Sequence, residues 1–248
     1  MARDTLYLEV NAGLCNRLRA LVAGICWAEK LGRKLVVAWP SHKPECKAGF
    51  YDLFATESLP PWVQIIDVML NDPFTCLSAE DFLKIIKSLD PIPSLISHGN
   101  FWGGDQDIWL HHLQRLKPSA NVTMFLNFWQ EQGMSEISTA IHIRRTDNEK
   151  AIRLSPLSRF KEILHDLPDR RVVVFSDDPS AVYELKQLFP TKVLAPEQFR
   201  SRRDKDGMIE ACTVFFSLAS MKKIYGSANS SFSEIASAYG DVELNIVT

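Results

Sequence analysis

The hydrophobic positions change period several times along the chain, and each change marks an element. Thr5–Val10 alternates and predicts a strand, closed by the turn Asn11-Ala12-Gly13. Leu14, Leu18, Leu21, Val22, Ile25 and Cys26 then fall on one helical face. Gly32 suits that helix's C-terminus, and Lys34–Trp39 predicts a second, mostly buried strand. The start of the chain thus reads as a β-α-β unit. Val63–Val68, Ser94–Ser97 and Val122–Phe128 carry further strand signals, and Ala79–Ser88 carries a helical one. The stretch 60–135 is otherwise irregular, with Pro60-Pro61, Pro91, Pro93 and the run Gly99–Gly104.

Regular alternation returns at 136. Ser138–Ile143, Arg171–Ser176, Lys192–Ala195, Lys223–Gly226 and Val242–Val247 predict strands. Between them lie helices opened by Ser155-Pro156 and by Asp178-Pro179, where a capping side chain precedes Pro at the first helical position. The first of these packs through Leu157, Phe160, Ile163, Leu164 and Leu167, the second through Val182, Leu185 and Leu188. Asp206–Ser220 and Ser231–Tyr239 predict two more. Strands alternating with helices favour parallel sheets covered on both faces. The expectation is an α/β protein with two Rossmann-like domains, residues 1–132 and 133–248, facing across a cleft.

Composition changes this picture little. At 46% hydrophobic residues the chain can bury a sizeable core, so a folded globular protein is expected. A net charge of −2 gives no reason to expect a general affinity for nucleic acid, leaving only local basic clusters open. Cys15, Cys26, Cys46, Cys76 and Cys212 are odd in number and widely spaced, with no CxxC pair, which fits reduced thiols better than disulfides or zinc. No apolar run approaches the ~20 residues that span a bilayer. The N-terminal MARDTLYLEV has no signal-peptide stretch, so a soluble, cytoplasmic protein is expected.

The strongest candidate for chemistry is His142-Ile143-Arg144-Arg145-Thr146-Asp147, at the carboxyl end of a predicted strand. Ligands of open α/β sheets bind outside those ends. Two adjacent arginines cannot both enter a core unpaired, and the planar guanidinium fork matches phosphate oxygens. The alternative is an ion pair with Asp147 that only ties down the loop. A second candidate is the stretch Tyr225–Glu234, where a strand ends in a small-residue loop and a helix starts. Free N–H groups at a helix start bind anions, and Ser230 and Ser231 add hydroxyls. Alternatively, Ser231 and Glu234 have the S-x-x-E spacing of a capping box, which serves helix initiation alone.

Three weaker patterns follow. Gly13, Asn16 and Arg17 sit on a turn into a helix and could meet a sugar, though on local pattern a tight turn plus a solvated face is the leading explanation. Asp177 and Asp178 could hold a divalent metal or a ribose, while Asp178 alone fits an N-cap before Pro179. The charged run Arg200–Asp206 is of the kind usually left solvated. None of the histidines has HExxH spacing, and Gly-x-Ser-x-Gly is absent.

Together these pieces resemble the fucosyltransferase superfamily, which includes nodulation-factor, core alpha-1,6 and protein O-fucosyltransferases. The resemblance rests on GLCNRLRALVAG and LGRKLVVAW near the start, HIRRTD, FSDDP at 175–179, and DGMIEACTVFFSLASMKKIYGSANSSFSEIA near the end. It implies a GT-B-type arrangement and inverting, metal-independent transfer of a sugar, fucose first among candidates, from a GDP-sugar to a glycan or other hydroxyl acceptor. No cofactor beyond that donor is implied. Arg144 and Arg145 would match the diphosphate-binding arginines, with His142 beside them. Ser230 and Ser231 would lie near the phosphates, Asp177 near the nucleoside, and Gly13, Asn16 and Arg17 on the acceptor or sugar side. Where core fucosyltransferases continue with Lys and then a proposed catalytic Glu, this chain has Asn148 followed by Glu149-Lys150-Ala151-Ile152. Asp147 and Glu149 are then the nearest candidates for a catalytic base beside Arg145. Two other readings stay open: a metal-dependent glycosyltransferase using Asp177 and Asp178, and a non-catalytic nucleotide- or glycan-binding protein.

Overall fold

A computed structural model describes residues 4–89, 91–168, 170–196 and 204–248. The chain divides into two compact units, Met1–Val122 with Ser201–Ile209, and Thr123–Arg200 with Glu210–Thr248. Each holds one five-stranded sheet in which every pairing is parallel.

In the first unit the order of elements is β1 (Thr5–Val10), α1 (Leu14–Lys30), β2 (Lys34–Ala38), α2 (Phe50–Leu53), β3 (Val63–Ile66), β4 (Phe74–Thr75), α3 (Ala79–Ser88), β5 (Leu95–Ser97) and α4 (Gln106–Gln114). Its strands lie side by side as β3-β2-β1-β5-β4. The expected β-α-β start and the bounds of α3 agree with the structure. α1 differs in being buried on nearly all sides from Ala20 to Ala28. Small residues make this possible: a Cβ on Gly24 would stand 2.6 Å from Leu8 Cδ2, so the helix backbone lies directly on β1. Its far side is aromatic. Trp27 stacks on Phe82 at 4.5 Å and donates its indole N–H to the Phe101 carbonyl at 3.0 Å. Gly32 takes φ +61, the left-handed turn its position predicts.

The second unit contains β6 (Thr139–Ile143), α6 (Glu149–Leu154), α7 (Leu157–Asp166), β7 (Val172–Ser176), α8 (Pro179–Leu188), β8 (Val193–Leu194), β9 (Lys223–Ser227), α10 (Ser231–Gly240) and β10 (Glu243–Val247). α5 (Ala120–Glu131) and α9 (Lys205–Ala219) each have their first residues counted with the first unit. The strand order is β10-β9-β6-β7-β8. Successive side chains alternate between faces. Ile141, Ile143, Val172 and Val174 pack with Phe160 and Leu164 of α7 and Leu185 of α8. On the alternate positions, Phe175 meets Trp129 of α5 at 5.7 Å and His142 meets Phe232 of α10 at 5.0 Å.

Three sequence expectations are overturned. Val122–Phe128 is not a strand but the middle of α5. Val122 and Trp129 are buried while Met124 and Phe128 are exposed, which is a helical repeat that the β-prone residues conceal. Ser155 does not cap α7; it ends α6, and Pro156 precedes the α7 turn without a side-chain cap. Nor does Ser231 cap α10, whose N-cap is Ser230, one residue earlier, with no side-chain cap bond. α6 was not anticipated, being six residues long. The five cysteines are buried thiols outside any disulfide, and burial pushes the Cys26 and Cys76 thiols up to about 12. No helix among the described residues is long and apolar enough to cross a membrane.

Candidate functional site

In the second unit the chain starts at the central strand β6, winds outward through β7 to β8, then crosses back to β9. The strand order therefore reverses between β6 and β9. The crevice at such a reversal, beyond the carboxyl ends of the strands, is where open α/β sheets bind ligands. The loops that follow these two strands are the two strongest sequence candidates, 144–148 and 228–230.

The register places His142 opposite Gly226. A Cβ on Gly226 would stand 2.7 Å from Ser233 Cβ and Oγ, so α10 approaches β9 more closely than any side chain there would permit. That approach brings Ser233 Oγ to 2.8 Å from His142 Nδ1, and the imidazole stacks on Phe232. His142 is 7% exposed, which makes it a strut between β6 and the first turn of α10. Gly226→Ala is expected to cost about 1–3 kcal/mol by overpacking and to loosen this contact, measurable by urea denaturation.

The arginine loop is organised by one carboxylate. Asp177, at the end of β7, accepts from Arg145 N at 2.7 Å, Thr146 Oγ1 at 2.8 Å and Thr146 N at 3.4 Å. It also pairs with Arg144 Nη1 at 2.9 Å. Arg144 pairs in addition with Asp147, and its backbone N–H reaches Ser227 Oγ at 3.0 Å. Asn148 Nδ2 donates to the Asn229 carbonyl at 3.0 Å, so the two candidate loops are directly bonded. Arg145 differs from Arg144: one of its guanidinium nitrogens, Nη2, is buried with no hydrogen-bond partner among the described residues. Ser230 Oγ, in a residue 3% exposed, is equally without one. Buried donors in native proteins are almost always satisfied, so two orphans on bonded loops mark a place for an acceptor. The α10 start adds N–H groups that no intrahelical carbonyl can take.

Each remaining candidate has a definite place. Asp178 caps α8 through Ser180 N at 2.9 Å, as its position before Pro179 indicates. With Asp177 also bonded, both carboxylates of a metal reading are engaged by protein donors. Among the described residues no group of three or more His, Cys, Asp or Glu side chains could hold a metal ion. Ser231 is half-buried at the first turn of α10, and Glu149 is exposed at the first turn of α6. Asp147 is exposed and held by Arg144. Of the charged run 200–206, residues 200–203 lie outside the described residues; Asp204 accepts from Gly207 N at 2.7 Å just before α9.

Gly13, Asn16 and Arg17 lie in the first unit. Gly13 and Asn16 are partly exposed at the start of α1, but Arg17 is wholly buried. Its Nε donates to the Ala12 carbonyl at 2.9 Å and Nη1 to Pro40 at 3.1 Å, with the guanidinium 5.2 Å from the centre of the Trp39 ring. Burial pulls its pKa below the usual guanidinium value, against the opposing pull of Cys46, Glu45, Glu9 and Asp67. Arg17 thus lies under the turn in which Ala12 takes φ 65, and its Nη2 is buried with no hydrogen-bond partner among the described residues. Ser227 and Ser233 belong to the second candidate stretch, but their bonds to Arg144 N and His142 Nδ1 carry no sequence signal.

No family model and no curated protein matches the sequence. Solved structures do. A NodZ alpha-1,6-fucosyltransferase soaked with GDP-fucose superposes with a TM-score of 0.68 at 15% identity, over 94% of this chain and 92% of that one. POFUT1 in complex with GDP-fucose gives 0.62 at 13% identity, over 100% and 98%. An Arabidopsis thaliana FUT1 variant in complex with GDP gives 0.67 at 17% identity, over 98% and 70%. The chain has a fucosyltransferase-like fold.

Proposed function

We propose that this chain is a glycosyltransferase that takes fucose from GDP-fucose and transfers it, with inversion and without a metal, to a hydroxyl of a glycan or other acceptor. One observation carries the reading: the buried, unpartnered donors of Arg145 and Ser230 stand on two bonded loops at the strand-order reversal of the second sheet. That is a diphosphate site by its chemistry. The similar folds solved with GDP and GDP-fucose support guanosine as the base and fucose as the sugar.

The reaction is a single displacement. The acceptor oxygen bonds to the anomeric carbon while the bond from that carbon to the β-phosphate oxygen breaks. The acceptor proton passes to a carboxylate, and GDP departs. Arg145, Ser230 and the α10 amides bind the charge that grows on the departing diphosphate. Asp147 and Glu149 are the candidate bases. Glu149 is the freer of the two, since Asp147 is held by Arg144.

A thermal-shift series against GDP, UDP, ADP and dTDP tests the donor site. GDP at 100 times its dissociation constant should add about 2.7 kcal/mol of stability. No shift with any of the four would end the reading. Incubation with GDP-fucose then separates an enzyme, which releases GDP slowly into water, from a binding protein, which releases none.

A further inference from the structure

The short helix α6 makes no use of its own N-terminus as a site, yet both of its ends are tied to the loop between β9 and α10. At its start, Asn148 does two jobs with one amide. Its Oδ1 accepts from Ala151 N at 3.0 Å and caps the helix, while Nδ2 donates to the Asn229 carbonyl at 3.0 Å. At its end, Ser155 is 0% exposed and also does two jobs. Its hydroxyl accepts from Ala228 N at 2.8 Å and donates to the Val247 carbonyl at 2.6 Å. The two anchor points, Ala228 and Asn229, are consecutive. Asn229 is held at φ 54, in the left-handed region, and the next residue is Ser230 with its orphan hydroxyl.

We propose that α6 is a two-ended strap that sets the shape of the diphosphate loop, with Asn148 and Ser155 as its positioning residues. The inference rests on the donor-site reading above and adds to it the part of the chain that pre-forms the site. It also gives a task to Asn148, which stands where the resembling core enzymes have Lys. Only an amide fits that task. Asp caps a helix but offers no donor, Ser caps but is too short to reach Asn229, and Lys donates but cannot cap. A pre-formed loop binds more tightly because less ordering accompanies binding.

The decisive comparison is wild type, Asn148→Ser and Asn148→Ala. Ser keeps the cap and loses the strap; Ala loses both. Two quantities are read: GDP affinity by calorimetry, and the hydrogen-exchange rate of the Ala228 amide by NMR without ligand. Asn148→Ser should melt within a few degrees of wild type, bind GDP about 5- to 10-fold more weakly, and exchange the Ala228 amide faster. Asn148→Ala should bind as weakly as the Ser variant and melt lower. Unchanged exchange at Ala228 in Asn148→Ser overturns the strap whether or not GDP binds. Wild-type GDP affinity in Asn148→Ser overturns the positioning role, because the cap alone then suffices. If wild type itself binds no nucleotide, the donor-site reading fails and the positioning role falls with it, while the exchange data still report on the strap.

Discussion

Arg145→Ala should lower the turnover of a GDP-sugar by about 10²-fold or more while leaving the melting temperature of the free protein unchanged or raised. The two halves of this expectation come from one atom. Nη2 of Arg145 is buried with no partner. In the free protein such a group costs about 1–3 kcal/mol, and truncation removes that penalty. With a diphosphate present the same group finds its acceptor, and it gains most when charge builds on the leaving oxygen. Arg144→Ala should behave differently. It breaks ion pairs to Asp147 and Asp177, so it should loosen the loop and lower the melting temperature along with affinity. Lys at 145 should restore little, because an ammonium offers no planar fork. Turnover unchanged in Arg145→Ala would remove the assignment.

Arg17→Ala should destabilise the first unit by about 3 kcal/mol or more, which for a chain of this size is a fall of about 6–12 °C in melting temperature. The side chain is completely buried, and its loss leaves the carbonyls of Ala12 and Pro40 without donors and a void beside Trp39. Arg17→Lys should recover only part of the loss. One ammonium cannot reach both carbonyls in the guanidinium plane and cannot stack on the indole in the same way. GDP binding in the second unit should persist wherever the variant remains folded. A melting temperature within 2–3 °C of wild type, about 1 kcal/mol by the same scaling, would mean that Arg17 is dispensable to the turn.

The parts of the fold that were legible in the sequence are those where local pattern and tertiary environment agree. β1 and α3 carry clean periods, β7 is a continuous apolar run of the kind a strand buried on both faces shows, and Asp178-Pro179 opens α8 as its chemistry dictates. The helical nature of α5 is concealed because Val122, Thr123, Phe125 and Phe128 are strand-prone, so the helical repeat shows only once Met124 and Phe128 are seen to be exposed. The position of HIRRTD at a strand end was readable; which arginine is paired was not. That depends on Asp177, which the next strand delivers from 32 residues further along. The burial of Arg17 was not readable for a similar reason: its partner Pro40 lies 23 residues away, beyond β2. The serine loop was found, but its N-cap was misjudged by one residue, because S-x-x-E spacing cannot register that α10 starts after Ser230.

The direct bonds between residues 142–148 and residues 227–233 bear on how such a site can be transplanted or can drift over time. Arg144 N rests on Ser227, His142 on Ser233, and Asn148 on Asn229, all more than 80 residues distant in sequence. HIRRTD is therefore not a portable cassette. Grafted alone into a related scaffold, it would arrive without Ser227, Ser233 and Asp177, which hold it, and its arginines would lose their aim. Exchange of the two segments as a pair should succeed where exchange of either one fails. Substitutions in one segment are for the same reason constrained by the residues present in the other.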